Sequence, residues 1–347
     1  MKLSLAWNEI KKVLEAPSIP NYEGAVYEVI KETLGKSADV HVENDMALVE
    51  LNPKAKPFIL IGAHSDVLGG RVTDISDDGF IYFALTGGSH AGWLIGQQVK
   101  IHTELSGGKE VSGVIGHKAV HHLEPEERNK VPKINEIFID IGAKTKKEVR
   151  NLGIEVGDPI IYSIGAEKLA LNDRIVARGW DNRAGVLTLI EAIRRLKRED
   201  IKAHVVFAFW GGEEVGLIGG FRGSALYKPE VMINVDVGFA TKTPATGKEK
   251  AMHGATDLGD GVIINRGGVF DPPLVKKAFE IVGRKKIRSQ FSVITHEGGT
   301  DATPFNRSGA RVLDLGLPCR YMHYDEVVDL KDIESAASLI VELLKSF

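Results

Sequence analysis

Residues 58–66 read Phe-Ile-Leu-Ile-Gly-Ala-His-Ser-Asp, an apolar run that ends in a histidine and an aspartate. A short continuous apolar run is typical of a strand buried on both faces, as in a parallel sheet. The same character recurs at 205–210, 231–236 and 311–317, and these runs alternate with amphipathic helical patterns at 184–196, 273–283 and 330–344. The alternation predicts an α/β fold, with a mostly parallel sheet flanked by helices.

Between about residues 68 and 166 the pattern changes to short β-rich runs. Asp78-Gly79 and Gly107-Gly108 each separate two such runs, which is a hairpin signal. Closely spaced short strands predict a small all-β barrel or sandwich. We therefore predict a discontinuous catalytic domain, 1–67 with 167–347, and an inserted β-rich domain, 68–166. Residues 117–132 are charged and contain proline, which predicts a long exposed loop.

Composition excludes several classes of protein. Among 347 residues, 44 Lys and Arg nearly balance 47 Asp and Glu, so the formal net charge is −3 and no basic footprint for nucleic acid or membrane lipid is expected. No apolar run approaches the roughly 20 residues that span a bilayer. The single cysteine, Cys319, cannot form an intrachain disulfide, which favours a reducing cytoplasm.

Side chains able to bind a metal ion follow the predicted strands or precede a helix. They are His64, Asp66, Asp181, Glu213, Glu214, Asp236 and His323. Ligands of open α/β sheets bind beyond the carboxyl ends of the strands, so distant segments would deliver these groups to one edge. Imidazoles and carboxylates without thiolates suit Zn²⁺, Co²⁺ or Mn²⁺. Because two adjacent glutamates can point differently, one can bind metal while the other acts as a general base.

Six stretches, in this order along the chain, resemble the M42 family of dinuclear metallo-aminopeptidases, the tetrahedral (TET) aminopeptidases. They are Gly62–Asp66, Trp180–Gly185, Gly212–Gly216, Ile233–Asp236, Gly298–Ala302 and Pro318–His323. The β-rich segment resembles the insert of that family through residues 113–116, 125–128 and 139–143. Each motif alone is weak, but six in register cover nearly the whole chain.

The resemblance implies two divalent ions per subunit, Zn²⁺ or Co²⁺. One would be held by His64, Asp181 and Asp236, and the other by Asp181, Glu214 and His323. Asp181 would then bridge the two ions, since a carboxylate has two oxygens and an imidazole cannot bridge in this way.

The resemblance also assigns roles around the metals. Glu213 would be the general base, and Asp66 would orient His64 through its second ring nitrogen. Small residues allow close approach of a peptide, so the stretch expected to contact substrate is Gly298, Gly299, Thr300 and Asp301. Many relatives have Met and Glu where this chain has Ser65 and Val67, and a second Asp in place of Asn182. These differences bear on metal preference and on the electrostatics around the substrate amine.

The implied activity is removal of N-terminal residues from short peptides, in a homo-oligomer of dimers that build a tetrahedral dodecamer. Dinuclear sites on similar folds also serve carboxypeptidases and deacylases, so an amidohydrolase acting on blocked substrates is an alternative. A non-catalytic scaffold is a further alternative, although no expected metal ligand is missing. Glycan hydrolysis has also been attributed to some relatives, but no carboxylate pair is left for it once these acids bind metal.

Overall fold

The structure is a computed structural model that describes residues 3–163, 165–244, 246–295 and 298–347. Its strands are β1 (His41–Glu43), β2 (Met46–Leu51), β3 (Phe58–His64), β4 (Gly69–Ile75), β5 (Ile81–Thr86), β6 (Gln98–His102), β7 (Glu110–Gly116), β8 (Phe138–Asp140), β9 (Pro159–Tyr162), β10 (Glu167–Lys168), β11 (Arg174–Ala177), β12 (His204–Trp210), β13 (Val231–Phe239), β14 (Val262–Gly267), β15 (Ser289–Ile294), β16 (Arg311–Cys319) and β17 (Glu326–Asp329).

Its helices are α1 (Trp7–Glu15), α2 (Gly24–Leu34), α3 (Ala91–Leu94), α4 (Lys146–Asn151), α5 (Trp180–Arg195), α6 (Ile218–Leu226), α7 (Gly247–His253), α8 (Pro272–Lys285), α9 (Ala302–Arg307) and α10 (Leu330–Leu344). No helix within the described ranges is long and apolar enough to cross a membrane. The chain divides into two compact units, Met1–Asp66 with Ala166–Phe347, and Val67–Gly165.

The first unit contains a mixed eight-stranded sheet in the order β1-β2-β12-β3-β13-β16-β14-β15. Its centre, from β12 to β16, is parallel, whereas β2 and β14 join the centre as antiparallel neighbours. The α/β fold class is therefore confirmed. The outer antiparallel strands β2 and β14 are features that the sequence analysis did not predict.

Alternate residues of the central strands face two separate apolar cores. In β3, Ile59 and Ile61 pack with α1, α2, α5, α8 and α10, while Leu60 packs with α9 and Trp210 on the other face. Side chains of a strand alternate between faces, so burial on both sides produces the continuous apolar runs seen in the sequence. The sheet is thus flanked by helices, as predicted.

The second unit is a closed six-stranded barrel in the order β4-β5-β8-β7-β6-β9, with antiparallel neighbours. Its interior is aliphatic, with Val72, Ile81, Ile101, Ile139 and Ile160 all buried. The predicted β-rich insert is confirmed as a barrel. The β-rich run before Gly107-Gly108 forms a strand only as far as His102, because Glu104–Ser106 forms a 3₁₀ turn that closes at Gly107 with φ 95°.

Candidate metal centre

The candidate ligands lie where the parallel strands end. His64 is the last residue of β3, and Glu213 and Glu214 follow the end of β12 after two glycines. Asp236 lies in β13 opposite Gly316 of β16. His323 lies just beyond the end of β16. Because these strands are parallel, their carboxyl ends meet at one edge of the sheet, which brings residues from distant segments together.

Asp181 stands between the two histidines. It lies near the start of α5 but has non-helical angles, φ −82° and ψ 101°. Its Oδ1 is 3.1 Å from Nε2 of His64, and its Oδ2 is 3.5 Å from Nε2 of His323. Burial alone would raise the pKa of the Asp181 carboxyl, but the hydrogen bonds with His323 and His64 outweigh it and lower that pKa below its usual range.

The ligand atoms form two groups within the part of the chain that the structure describes. One group is His64, Glu213 and Asp236, and the other is Asp181, Glu214 and His323; in each, the atoms lie within 4.8 Å of one another.

The spacings within these groups have the size of a metal coordination shell. His64 Nε2 is 3.5 Å from Asp236 Oδ1, and His323 Nε2 is 3.8 Å from Glu214 Oε2. Two ligands bound to one tetrahedral zinc ion at about 2.0–2.2 Å lie about 3.3–3.6 Å apart.

The acids of the site are buried close together, which disfavours their ionised forms. Burial, with added repulsion from Asp236 and other carboxylates, raises the pKa of Glu213 to about 10. Burial and the charge of Asp181 raise the pKa of Glu214 to about 8, and burial also raises that of Asp236. Within the described residues, Oε1 of Glu214 is buried without a hydrogen-bond partner. Clustered carboxylates with an unused oxygen fit a site that holds cations.

Glu213, the predicted general base, lies with the first group of ligands. Its Oε2 is 3.8 Å from Nε2 of His64, the same spacing as that between His323 Nε2 and Glu214 Oε2 in the second group. The position suits both a direct metal ligand and a base beside the ions.

Asp66, predicted to orient His64, makes its main contacts with the main chain of the neighbouring loop. Its Oδ1 accepts a hydrogen bond from the N–H of Glu213 at 3.2 Å, and its Oδ2 accepts one from the N–H of Glu214 at 3.1 Å. Nδ1 of His64 is 3.4 Å from Oδ1 of Asp66 and 3.3 Å from its main-chain oxygen. Asp66 therefore holds the Glu213-Glu214 loop as well as facing the imidazole.

Glu326 has an equivalent position on the other side of the site, and the sequence analysis missed it. Its Oε1 accepts the N–H of His323 at 2.9 Å, and its Oε2 accepts the N–H of Asp181 at 3.1 Å. Burial and the charge of Asp181 raise the pKa of Glu326 to about 8. The available signal was an acid three residues after a candidate ligand, directly before an apolar pair typical of a strand.

The stretch predicted to contact substrate is only partly free to do so. Asp301 is buried, and its two oxygens accept hydrogen bonds from Trp210 Nε1 at 2.5 Å and from the N–H of Gly220 at 3.0 Å. Thr300 Oγ1 accepts from Asn234 Nδ2 at 2.6 Å. Both side chains therefore form hydrogen bonds inside the protein, and Gly298 and Gly299 have no side chain.

At two of the positions where this chain differs from many relatives of the M42 family, the side chain forms hydrogen bonds within the protein. Asn182 donates from Nδ2 to the main-chain oxygen of Val235 at 2.7 Å and accepts the N–H of Gly185 at 2.8 Å. Ser65 donates from Oγ to the main-chain oxygen of Trp210 at 2.9 Å. An ionised Asp could not donate as Asn182 does, so the amide suits this position.

Comparison with known proteins gives matches over nearly the whole chain. The sequence model of the family described as M42 glutamyl aminopeptidase matches residues 47–339. Lysyl aminopeptidase of Pyrococcus furiosus is 28% identical over 346 residues, which are 98% of this chain and 96% of that protein. The crystal structure of a TET aminopeptidase from a marine sediment Thaumarchaeota archaeon has a TM-score of 0.89 and 30% identity, covering 97% of this chain and 95% of that one. The TET1 peptidase of Pyrococcus horikoshii, which can assemble into a tetrahedron or a large octahedral shell, has a TM-score of 0.86 and 31% identity, covering 97% and 98%.

Proposed function

Because this chain belongs to the M42 family and is an aminopeptidase, a hydrolase of peptide bonds, we propose that it uses a pair of divalent metal ions bound at the candidate metal centre. The observation that carries the proposal is the position of Asp181, whose two oxygens face the two imidazoles separately at 3.1 and 3.5 Å. A carboxylate placed in this way can bridge two neighbouring ions with its two oxygens.

The proposed ligand sets follow from that bridge. His64, Asp181 and Asp236 would hold one ion, and Asp181, Glu214 and His323 would hold the other. Zn²⁺ and Co²⁺ suit nitrogen and oxygen donors of this kind. When bound, such ions polarise a peptide carbonyl and lower the pKa of water, which favours hydrolysis at neutral pH.

Glu213 is proposed as the general base. Its carboxylate would accept a proton from the attacking water at Oε2 and return it to the amine that leaves. The bond between its main-chain N–H and Asp66 supports this role, because it fixes the loop through the main chain and not through the carboxylate. A base that is buried beside other acids also retains a proton readily, as its later role as an acid requires.

The substrate is proposed to be a short peptide with a free N-terminal amine, which acidic groups of the centre would attract. Gly298 and Gly299 would let the peptide approach closely, while Thr300 and Asp301 would hold this stretch in place through their internal hydrogen bonds. Assembly is proposed from the TET relatives: dimers that build a tetrahedral dodecamer, with the barrel at subunit contacts. A cytoplasmic location stays a prediction from the single cysteine.

The test uses full-length protein and two matched sets of short peptides, one with free N-terminal amines and one with acetylated N-termini. We expect release of free amino acids only from the first set, in the presence of Zn²⁺ or Co²⁺, with loss of activity on chelation and recovery on adding metal back. Cleavage of the acetylated set alone would instead favour a deacylase or carboxypeptidase. Activity that persists in fully metal-free protein would refute the metal centre.

A further inference from the structure

The buried carboxylate of Glu326 joins two separate segments of the candidate metal centre. Only 2% of the residue is exposed, and each of its oxygens accepts a main-chain N–H, from His323 at 2.9 Å and from Asp181 at 3.1 Å. Asp181 lies at the start of α5 and His323 lies after β16, so no single helix or strand fixes the distance between them.

We propose that Glu326 is a positioning residue that sets the separation of Asp181 and His323, and thereby the affinity of the ion these two residues would share. The inference rests on the proposed dinuclear centre. Because both bonds are made to main-chain N–H groups, the ligand side chains keep their own oxygens and ring nitrogen for the metal. Mutation of groups that hydrogen-bond to metal ligands and hold them in place commonly lowers metal affinity by 10–100-fold.

Another buried carboxylate that accepts two main-chain N–H groups lies elsewhere in the protein and provides a matched control. Asp332 is fully buried, and its two oxygens accept the N–H groups of Gly259 and Gly261, both at 2.8 Å. The glycines are not among the proposed ligands. Replacing Asp332 by Asn therefore disturbs a buried pair of hydrogen bonds of the same kind without changing a segment that carries a proposed ligand.

The informative variant is Glu326→Gln, which keeps the size of the side chain. A Gln side chain has one acceptor oxygen, and its NH₂ group would face one of the two N–H donors. One of the two bonds is therefore lost, and either Asp181 or His323 is released. We expect the ion of the Asp181, Glu214 and His323 group to bind at least 10-fold more weakly in Glu326→Gln.

The experiment titrates chelator-stripped, full-length protein with Co²⁺ and follows both binding steps by calorimetry and by the visible absorption spectrum. We expect two ions in the wild type, one weakened step with an altered spectrum in Glu326→Gln, and both steps unchanged in Asp332→Asn. Wild-type affinities for both ions in Glu326→Gln would overturn the inference while leaving the dinuclear centre intact. An equal loss in Asp332→Asn would also overturn it, since the effect would then be general. Wild-type protein that binds fewer than two ions would overturn the proposed centre together with this inference.

A second measurement keeps the inference testable should Glu326→Gln fail to fold. In metal-free wild-type protein, the amide hydrogens of Asp181 and His323 are expected to exchange slowly, because Glu326 accepts both. If these two amides exchange at the rate of exposed loops, the two hydrogen bonds to Glu326 are absent and the positioning role is refuted.

Discussion

The variant Glu213→Gln tests whether Glu213 acts as a general base or as a metal ligand, since its position suits both roles. Burial raises the pKa of Glu213 to about 10 in the metal-free protein, so at pH 7 the group carries a proton, and ionising it costs about (10 − 7) × 1.36, or about 4 kcal/mol. Gln is a neutral group of the same shape as that protonated acid. The metal-free variant is therefore expected to keep its stability within about 1 kcal/mol.

If Glu213 is the general base, the same change removes the proton acceptor in the metal-loaded enzyme. Loss of a positioned base lowers turnover by about 10²–10⁴-fold, equivalent to about 2.7–5.4 kcal/mol of activation free energy. If Glu213 is a base and not a ligand, the variant keeps two ions per chain. The neighbouring Glu214→Gln is the matched control: its carboxylate lies 3.8 Å from His323 in the other group, and its loss is expected to remove metal.

The assay combines kcat on an aminoacyl reporter substrate, metal content by elemental analysis and thermal unfolding of the stripped protein, for the wild type and both variants. Glu213→Gln with two ions and at least 100-fold lower kcat supports the base. One ion fewer in this variant would make Glu213 a ligand of the His64 and Asp236 group. Full turnover with both ions would remove it from the reaction altogether.

Two further outcomes follow from the structure. Burial raises the pKa of Glu214 to about 8, so its proton must leave before metal binds. The affinity of that site should therefore weaken about 50-fold from pH 8 to pH 6, because the ionised fraction of Glu214 falls from about one half to about one hundredth. Equal affinities at both pH values in competition titrations would contradict this. Gly62→Ala would place a Cβ 1.9 Å from the buried ring of Trp210, and we expect a loss of about 1–3 kcal/mol or more in urea unfolding. Gly283→Ala is the control, because a Cβ at this position of α8 meets no atom within 4 Å, and it should leave stability unchanged or slightly higher. A similar loss of stability in Gly283→Ala would mean that the loss of a glycine, and not crowding against Trp210, destabilises the protein.

The parallel centre of the sheet was predictable because burial on both faces leaves a continuous apolar run. β2 and β14 also contain apolar runs, but an apolar run does not show strand direction, and their antiparallel pairing depends on where the chain returns. The barrel was predictable from turn residues between short β-rich runs, since Gly supplies the positive φ that such turns need. At Gly107 the turn also shortened the preceding strand, a boundary effect that residue patterns locate poorly.

The candidate ligands were found because metal binding demands particular side chains, and these stand at strand ends that the fold brings together. Glu326 was missed because its partners are main-chain N–H groups, which every residue except proline offers, so an acid three residues after His323 did not by itself identify the contact. Asp301 shows the opposite case. Its motif indicated substrate contact, whereas its oxygens bind Trp210 and Gly220, and only coordinates could reveal those partners.

The main-chain bonds of Asp66 and Glu326 explain how so many acids can share one small site. Each holds its loop through N–H groups, so the carboxylates of Glu213 and Glu214 are not used for packing and Oε1 of Glu214 is buried without a hydrogen-bond partner in the described part of the chain. The loops therefore stay in place while the side chains repel one another, and in metal-free protein that repulsion is relieved by bound protons. Two divalent ions would displace those protons and supply the missing partners. Metal loading should consequently both release protons and raise the unfolding temperature, and a variant that loosens either loop should reduce that stabilisation by metal more than the stability of the stripped protein.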